Sequence, residues 1–420
     1  MSFFYEKGYL YCDELRVKTI CEQVGRTPFY LYSAQTLHKN LAAYSDAIAG
    51  IPAAISYAVK ANANLHILSI VRQHGCWATL VSGGELQLAL VSGFDPKHMI
   101  FNGNGKTIPE LKSAAELGIL INIDSEFDLD HIQQAAALTG KSVDVLLRIN
   151  PDIDPEVHPY ISTGVKNSKF GISTKDIPAL LTRLKIASEL NLVGLHCHLG
   201  STITNLAVFR QIMNLMVDQF KTIRTQGFRI KYLNIGGGLG IDYLKEKDGF
   251  PTPGDLISVL TDLIPEHAAL ILEPGRSIVG SAGVLICNVI GIKRGGSRNF
   301  IVTDGSMTEL IRPSLYGAYH HINFIEPVMG PIEKYDIVGP VCESADFLGK
   351  DRSLPTPDEN TGMIIYDAGA YGYTMSSNYN MRPRPAEYLV DGTKLILIRR
   401  AENLDDLMRL FEIGTESTTS

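Results

Sequence analysis

Along the first two thirds of the chain, short apolar runs alternate with longer stretches in which apolar residues recur every three or four positions. The short runs are typical of strands buried on both faces, and the longer stretches are typical of amphipathic helices. One of these runs, residues 54–59, is followed directly by Lys60. We predict eight strands, at residues 54–59, 77–81, 99–102, 119–123, 143–149, 192–196, 232–235 and 269–272.

The stretches between these runs predict helices that connect each strand to the next. Strands that are apolar throughout and alternate with helices form a parallel sheet covered by helices, which is an α/β fold. Eight of them in succession favour a closed (β/α)8, TIM-like barrel, with an open doubly wound sheet as the alternative. Predicted helices include residues 84–91, 108–117, 126–139, 176–189, 209–226 and 255–263.

After residue 276 the helical spacing largely disappears, and short valine- and isoleucine-rich runs punctuated by glycine replace it. This pattern is typical of an antiparallel sheet, so we predict a C-terminal antiparallel β-sandwich domain. We place the barrel at residues 31–275 and the β-domain at residues 276–413, with a surface loop at 350–362 and a flexible tail at 414–420. The predicted strands of this domain are residues 284–292, 299–303, 335–338, 363–367 and 394–399.

The chain has 420 residues, of which 45% are hydrophobic and 20% charged, and its formal net charge is −7. These values are typical of a two-domain globular enzyme, and the negative charge without a basic run excludes a dedicated nucleic-acid binder. No apolar stretch is long enough to span a bilayer, so no membrane partner is predicted. The six cysteines form no Cys-x-x-Cys pair, which argues against a structural zinc site.

The N-terminal residues lack the features of a secretion signal and of a transit peptide. We therefore expect a cytoplasmic protein. The plastid stroma is the alternative if a transit peptide has been removed.

Lys60 is a candidate catalytic residue because of its position. It follows a predicted core strand, and the carboxyl ends of barrel strands form the rim on which barrel enzymes carry their catalytic groups. A lysine whose charged end simply reaches into solvent is the structural alternative.

Two histidines, His196 and His198, occupy alternate positions at the end of another predicted strand and therefore face the same side. No carboxylate or cysteine cluster nearby completes a set of metal ligands, so no metal site is predicted. An imidazole also stacks on a flat heteroaromatic ring, which is the role we predict for His198. We predict His196 to be a hydrogen-bonded residue of the barrel interior.

Two glycine-containing turns follow later strands. The first, Gly-Gly-Gly-Leu-Gly at 236–240, exposes backbone N–H groups that can bind a phosphate, and barrel phosphate sites come late in strand order. It lacks the Gly-Lys-Ser/Thr of a P-loop, and a plain tight turn is the alternative. The second, Glu-Pro-Gly-Arg at 273–276, places a carboxylate at the rim, with a structural Glu–Arg salt bridge as its alternative. A lysine, a phosphate loop and a carboxylate that can keep a pyridine nitrogen protonated together indicate pyridoxal 5'-phosphate.

With these motifs in place, the chain resembles the barrel-type (fold-type III) pyridoxal-phosphate-dependent amino-acid decarboxylases, and among them the diaminopimelate decarboxylase family most closely. The resemblance covers roughly residues 10–413. Its motifs are Tyr-Ala-Val-Lys-Ala-Asn at 57–62, Val-Ser-Gly-Gly-Glu at 81–85, Arg-Ile-Asn-Pro at 148–151, Lys-Phe-Gly-Ile at 169–172, His-Cys-His-Leu-Gly-Ser at 196–201, Gly-Gly-Gly-Leu-Gly at 236–240, Glu-Pro-Gly-Arg at 273–276, Arg-Pro-Ser-Leu-Tyr at 312–316, Gly-Pro-Val-Cys-Glu-Ser-Ala-Asp at 339–346 and Asp-Ala-Gly-Ala-Tyr at 367–371.

The resemblance implies a β-domain that residues 1–30 join, and a homodimer with shared active sites. It implies that Lys60 binds pyridoxal phosphate as a Schiff base, that His198 stacks on its ring and that Glu273 pairs with the pyridine nitrogen. It also implies that Cys342 and Glu343 come from the partner subunit, with Cys342 as the proton donor. The further cofactor-binding residues that it implies are Ser201, Gly236, Gly237, Gly238, Gly240, Pro274, Gly275, Arg276 and Tyr371. The substrate-binding residues that it implies are Arg276, Arg312, Tyr316, Glu343 and Tyr371.

The implied reaction is decarboxylation of meso-2,6-diaminopimelate to L-lysine and CO2, the last step of lysine biosynthesis. The distal end of that substrate is a zwitterionic amino-acid head, for which Arg276 and Arg312 suit the carboxylate and Glu343 suits the ammonium. Decarboxylation of ornithine, arginine or carboxynorspermidine is the nearest alternative, although an ornithine site needs no arginine at the substrate tip. A racemase and a non-catalytic regulatory homologue are the remaining alternatives.

One strand departs from the resemblance. Several members of the family place an aspartate before the Ser-Gly-Gly-Glu turn, where this chain has Ala78-Thr79-Leu80-Val81. Any role of that acid is therefore not carried over to this chain.

Overall fold

The structure is a computed structural model that describes residues 3–153, 168–245 and 249–412. It divides into two compact units, Thr36–Ser281 and Met1–Gln35 with Ala282–Ser420. The domain boundaries predicted from the sequence, at residues 30 and 275, stay predictions. The predicted tail at 414–420 lies outside the described residues.

The N-terminal segment forms a small antiparallel sheet and one strand of a larger sheet. Its helix ends at Gly25, whose φ of 71° lies in the left-handed region that commonly terminates helices. The elements are β1 (Phe3–Glu6), β2 (Tyr9–Cys12), β3 (Leu15–Arg16), α1 (Val17–Val24) and β4 (Phe29–Ser33).

The middle of the chain alternates strands and helices. The strands are β5 (Ala53–Ala58), β6 (Trp77–Leu80), β7 (Met99–Phe101), β8 (Leu120–Ile123), β9 (Val143–Asn150), β10 (Ile172–Ser173), β11 (Leu190–His196), β12 (Tyr232–Asn234) and β13 (Ala269–Leu272). The helices are α2 (Ala34–Ala47), α3 (Leu65–Gln73), α4 (Gly83–Val91), α5 (Ile108–Leu117), α6 (Glu126–Thr139), α7 (Ile177–Ile186), α8 (Leu206–Thr225), α9 (Pro253–Ser258) and α10 (Arg276–Val279).

These strands, apart from the short β10, close into a parallel barrel. Pairing runs in the order β5, β6, β7, β8, β9, β11, β12 and β13, and β13 pairs with β5. The predicted eight-stranded barrel is thus confirmed, with each strand close to its predicted bounds. No helix within the three described ranges combines the length and the apolar character needed to cross a membrane.

Short polar side chains begin several barrel helices immediately after a strand. Ser82 accepts a hydrogen bond from the Glu85 N–H at the start of α4, and Ser125 accepts one from the Asp128 N–H at the start of α6. Asn64 does the same for the His66 N–H at the start of α3. These caps satisfy backbone donors that the first turn of a helix leaves without partners, so each helix begins close to the rim of the barrel.

The C-terminal part of the chain is dominated by strands. They are β14 (Gly283–Gly295), β15 (Arg298–Thr303), β16 (Ile322–Phe324), β17 (Ile332–Val338), β18 (Phe347–Pro355), β19 (Gly362–Ile365), β20 (Ala386–Asp391) and β21 (Lys394–Arg399). A short helix, α11 (Arg312–Tyr316), lies between β15 and β16, and another, α12 (Leu404–Met408), follows β21. The predicted β-domain is confirmed. Most of its pairs are antiparallel, but β15 pairs with β17 and β4 with β20 in parallel.

The prediction of a surface loop at 350–362 is wrong for its first half. Residues up to Pro355 belong to β18, which pairs antiparallel with β17. The charged run Lys350-Asp351-Arg352 suggested a loop, but a strand at the edge of a sheet can carry such residues because part of it faces solvent.

Apolar residues from both ends of the chain share one core in this unit. Leu10, Ile20 and Phe29 from the N-terminal segment cluster with Val284 and Ile364 from β14 and β19. Removal of this apolar area from water is the main favourable term that holds the two segments together.

Candidate active site

The barrel interior changes from apolar to polar along its strands. An apolar layer takes residues from all eight barrel strands: Ala54, Trp77, Ile100, Leu120, Leu146, Val193, Tyr232 and Ile271. Two positions after seven of these residues, within the strand or directly after its end, stands a buried polar residue. These residues are Ser56, Thr79, Asn102, Asn122, Arg148, Asn234 and Glu273. The carboxyl end of the barrel therefore carries a buried polar layer above a packed apolar floor.

Glu273 is the centre of this polar layer. The Asn234 Nδ2 lies 2.8 Å from Oε1, and the Asn102 Nδ2 lies 3.0 and 3.1 Å from the two carboxylate oxygens. The His196 Nε2 lies 3.2 Å from Oε2. Burial alone would raise the pKa of Glu273, but the interactions with His196, Asn234 and His198 outweigh it and hold that pKa well below its ordinary value. The carboxylate is therefore ionised at physiological pH.

His196 is fixed in one neutral form. Its Nδ1 lies 2.9 Å from the Asn122 Nδ2, which only donates, so Nε2 carries the proton that is donated to Glu273. Burial lowers the pKa of His196, and the nearby Glu273 carboxylate offsets only part of this effect. As predicted, His196 lies in the barrel interior with hydrogen bonds to both ring nitrogens.

Lys60 lies in a 3-10 turn, Val59–Ala61, that directly follows β5, and its side chain is exposed. The turn packs against the segment after β13, because the Ala58 N–H donates to the Pro274 carbonyl at 3.0 Å. A Cβ atom at Gly275 would lie 2.9 Å from the Cβ of Ala61, so only glycine allows this approach. The backbone contact brings the turns that carry Lys60 and Glu273 together.

His198 contacts the glycine loop after β12. The Gly237 N–H donates to its Nδ1 at 3.2 Å, and a Cβ atom at Gly236 would lie 2.6 Å from the same nitrogen. Burial, followed by the positive charges of Lys60 and Arg148, holds the pKa of His198 well below its ordinary value. The ring is therefore neutral.

The glycine loop also interlocks with the turn after β11. A Cβ atom at Gly237 would lie 2.1 Å from the Glu273 carbonyl oxygen, and one at Gly238 would lie 2.7 Å from the Gly200 carbonyl oxygen. The N–H of Gly240 donates to the Ile203 carbonyl at 2.9 Å. Side chains at these glycine positions would therefore push apart the turns that follow β11, β12 and β13.

Arg276 and Ser201, which were both predicted to bind the cofactor, contact each other. The Arg276 Nε donates to Oγ of Ser201 at 3.0 Å, and Nη1 donates to the Tyr243 hydroxyl at 2.6 Å. Arg276 is buried at the start of α10. Its guanidinium is thus held by side chains of two other loops.

The predicted proton donor, Cys342, and its neighbour Glu343 are exposed on a loop of the C-terminal unit. Hydrogen bonds to the backbone nevertheless fix this loop. The Val341 N–H donates to Asp346 Oδ2 at 2.8 Å, and the Cys342 N–H donates to Asn380 Oδ1 at 2.9 Å. The side chains are therefore presented on a defined backbone.

The other predicted residues of this unit lie on two segments. Arg312 is buried at the first position of α11, and Tyr316, the last residue of that helix, is half-buried. Tyr371 has a φ of 57°, a left-handed conformation that is uncommon for residues other than glycine. Such strained backbone is frequent at ligand-binding sites.

Sequence reasoning missed most of the polar layer. Asn102, Asn122 and Asn234 were not predicted as site residues, although each stands two positions after an apolar residue at a strand end. The same pattern marks Arg148, which pairs with Asp124 at 2.7 Å. A polar residue two positions after an apolar strand residue was the signal that the sequence offered.

No three histidine, cysteine, aspartate or glutamate side chains are grouped so as to hold a metal ion, within residues 3–153, 168–245 and 249–412.

Comparison with known families decides the class. The sequence profile described as "Pyridoxal-dependent decarboxylase, pyridoxal binding domain" matches residues 34–280, more than half of the chain. The chain belongs to the pyridoxal-dependent decarboxylase family. The resemblance inferred from the motifs is thereby confirmed, and the matched range contains the barrel and its polar layer.

Individual members of this family match over nearly the whole chain. A rice protein named "Probable diaminopimelate decarboxylase, chloroplastic" is 53% identical over 96% of this chain and 84% of its own length. A diaminopimelate decarboxylase from Aquifex aeolicus is 42% identical over 96% of this chain and 95% of its own. The crystal structure of a diaminopimelate decarboxylase from M. jannaschii with L-lysine superposes with a TM-score of 0.93, at 35% identity over 98% of both chains.

The decarboxylase cofactor, pyridoxal phosphate, fits the residues present. A pyridine ring needs a carboxylate for its nitrogen, a flat partner for its face and an amine near its aldehyde, which Glu273, His198 and Lys60 can supply. The glycines at 236, 237 and 275 lie where any Cβ atom would collide with the surrounding rim. The rim is therefore shaped by backbone, as a phosphate cradle requires.

Proposed function

We propose that the chain is a pyridoxal-phosphate-dependent diaminopimelate decarboxylase, which converts meso-2,6-diaminopimelate to L-lysine and CO2 in the last step of lysine biosynthesis. The observation that carries this proposal is the ionised Glu273 carboxylate, held by three donors beside the Lys60 turn. Full-length similarity to several proteins of that name supports the choice of substrate.

Within the barrel, each residue has a defined task. Pyridoxal phosphate, when bound, supplies an electron sink for the carbon that loses CO2. We assign the Lys60 amine to covalent attachment of the cofactor, and Glu273 to holding a proton on the ring nitrogen. The neutral ring of His198 can lie against the cofactor without adding a positive charge beside it.

We assign the phosphate to backbone and hydroxyl donors at the rim. Ser201, the segment Gly275-Arg276 and the Gly238 N–H are the proposed donors. Gly236, Gly237 and Gly240, whose N–H groups donate to Asn234, His198 and Ile203, shape the loop, and Pro274 shapes the turn after β13. Support comes from the close packing of Gly236, Gly237, Gly238 and Gly240 against neighbouring turns.

The substrate's distal head is assigned to residues that match its charges. The proposed contacts of the carboxylate are Arg276 and Arg312, and that of the ammonium is the partner subunit's Glu343. Tyr316 and Tyr371 are the further proposed substrate contacts. We propose a homodimer in which the partner subunit's Cys342 protonates the carbon after CO2 has left. The exposure of Cys342 and Glu343 in the single chain supports this proposal.

The proposed compartment is the cytoplasm, with the plastid stroma as the alternative. The name of the rice relative carries the word chloroplastic and supports the second.

Release of CO2 from several amino acids tests the proposal. We expect turnover of meso-diaminopimelate and little release from ornithine, arginine or carboxynorspermidine. Borohydride reduction followed by mass spectrometry should find the pyridoxyl group on Lys60, and Lys60→Ala should lose it together with activity. Absence of CO2 from meso-diaminopimelate, with an intact adduct on Lys60, would contradict the substrate and leave the cofactor assignment standing.

A further inference from the structure

His320 is a fully buried histidine of the C-terminal unit that has no role in the site described so far. It bridges a backbone carbonyl and a charged side chain. Its Nδ1 lies 2.7 Å from the carbonyl oxygen of Tyr366, and its Nε2 lies 2.7 Å from Nη1 of Arg312.

The chemistry of these partners determines which ring nitrogen of His320 carries the proton. A carbonyl oxygen only accepts hydrogen bonds, so the proton lies on Nδ1. A guanidinium only donates, so Nε2 must be the acceptor. Both contacts are satisfied only by a neutral imidazole with its proton on Nδ1.

We infer that His320 is a positioning residue that aims the Arg312 guanidinium at the distal carboxylate of the substrate. This inference rests on the proposed role of Arg312. A guanidinium grips a carboxylate best when its plane is aligned for two parallel hydrogen bonds. The bond from Nη1 to His320 fixes that plane and ties it to the backbone at Tyr366.

The backbone around His320 is held in turn. The Arg352 Nη2 donates to the His320 carbonyl at 3.1 Å, and the Arg352 guanidinium lies 3.8 Å from the centre of the Tyr319 ring. The Tyr366 N–H donates to the His321 carbonyl at 2.9 Å. The bridge therefore joins β18, the end of β19 and the start of α11.

Two substitutions separate the two hydrogen bonds of the bridge. His320→Asn places an amide near the Nδ1 position and can keep the donor to Tyr366, but it is too short to reach Arg312. His320→Gln extends to the Nε2 position and can keep an acceptor for Arg312. His267→Asn is the matched control, since that side chain is 70% exposed in the barrel unit.

The readout is the binding of two small molecules to the cofactor-loaded enzyme. L-lysine keeps the distal amino-acid head, whereas cadaverine lacks its carboxylate. We expect His320→Asn to weaken L-lysine about tenfold, the size of one lost charge-assisted hydrogen bond, and cadaverine less than about twofold. KM for meso-diaminopimelate should rise by a similar factor with a smaller change in kcat, and His320→Gln should restore most of the loss.

Arg312→Lys distinguishes failure of the inference from failure of the proposed function. If Arg312→Lys weakens L-lysine but not cadaverine, while a folded His320→Asn changes neither, the inference is wrong and the role of Arg312 stands. If Arg312→Lys leaves L-lysine unaffected, the proposed substrate contact itself fails. Equal weakening of both ligands by His320→Asn indicates general damage to the fold and also overturns the inference.

The tautomer provides a test that is measured on the wild-type enzyme, with His320→Gln used only to assign the signal. Nitrogen-15 spectra of histidine-labelled wild-type enzyme should contain one neutral, slowly exchanging histidine protonated on Nδ1, and His320→Gln should remove that signal. A His320 signal with its proton on Nε2, or a doubly protonated ring at neutral pH, contradicts the bridge.

Discussion

The polar layer of the barrel and the Cys342 loop of the C-terminal unit present their functional groups in opposite ways. Glu273 is 7% exposed, and its two oxygens accept from three buried side chains. Cys342 and Glu343 are exposed, and the hydrogen bonds that hold their loop go to its backbone. The barrel fixes a charge by surrounding it with partners. The loop fixes the path of the chain, with Glu343 Oε1 accepting from the Ala345 N–H at 3.2 Å, and leaves both side chains exposed to solvent.

The largest effect is expected from a substitution in the polar layer of the barrel. Glu273→Gln keeps the size of the side chain but replaces an ionised acceptor with a neutral amide, whose NH2 group would face the donors Asn102 and His196. Loss of a preorganised charge typically costs about 10²–10³-fold in kcat, and we expect a loss near the upper end. Steady-state kinetics of lysine formation measures it, with the exposed Glu266→Gln as control. Near wild-type kcat in a folded Glu273→Gln enzyme would contradict the role of the charge.

Cys342→Ala probes the loop and should have the next largest effect. Removal of a positioned proton donor commonly costs about 10²-fold or more in rate, whereas truncation of an exposed side chain changes the free energy of unfolding by less than about 0.5 kcal/mol. The variant should therefore lose turnover and keep the wild-type unfolding midpoint and the cofactor adduct on Lys60.

Mixing subunits sharpens this test. Inactive Cys342→Ala subunits combined with inactive Lys60→Ala subunits should regain part of the activity if each site takes Cys342 from the partner subunit. Absence of any recovery in a mixed dimer would place the proton donor within one chain.

The same comparison explains which features the sequence could predict. The barrel strands are short apolar runs bounded by polar residues, so local pattern alone identifies them. The partners of Glu273 are different: Asn234, His196 and Asn102 are separated from it by 39, 77 and 171 positions. Only closure of the barrel brings them together, and no local pattern contains that information.

Strand β18 and the His320 bridge are two further features that the sequence could not predict. The charged residues of β18 led to the prediction of a loop. The spacing of polar and apolar residues does not show that this segment pairs with β17. His320 lies eight positions from Arg312, yet its ring is oriented by the Tyr366 carbonyl, 46 positions away. Family motifs indicated Arg312, but they could not show what holds it.

The smallest expected effect is a pH dependence of the free energy of unfolding. His198 in the barrel should cause it, whereas the exposed Cys342 loop should not. The native pKa of His198 is lowered by burial and by nearby positive charge, whereas the unfolded chain keeps a value of about 6.5. Above that value neither state binds the proton. As the pH falls below it, the unfolded state takes up a proton that the native state does not. Native stability is therefore lost, by at most about 1.4 kcal/mol per pH unit.

His198→Gln removes this titration and can keep an acceptor for the Gly237 N–H. Between pH 7.5 and 5.5, we expect the free energy of unfolding of the wild type to fall by about 1 kcal/mol more than that of the variant. Urea unfolding of the cofactor-free proteins at several pH values measures this difference, and other titrating groups cancel because both proteins share them. His267→Gln, at an exposed position, should give no comparable shift. A difference that stays constant with pH would mean that His198 titrates alike in both states, and the neutral ring assigned to it would then be wrong.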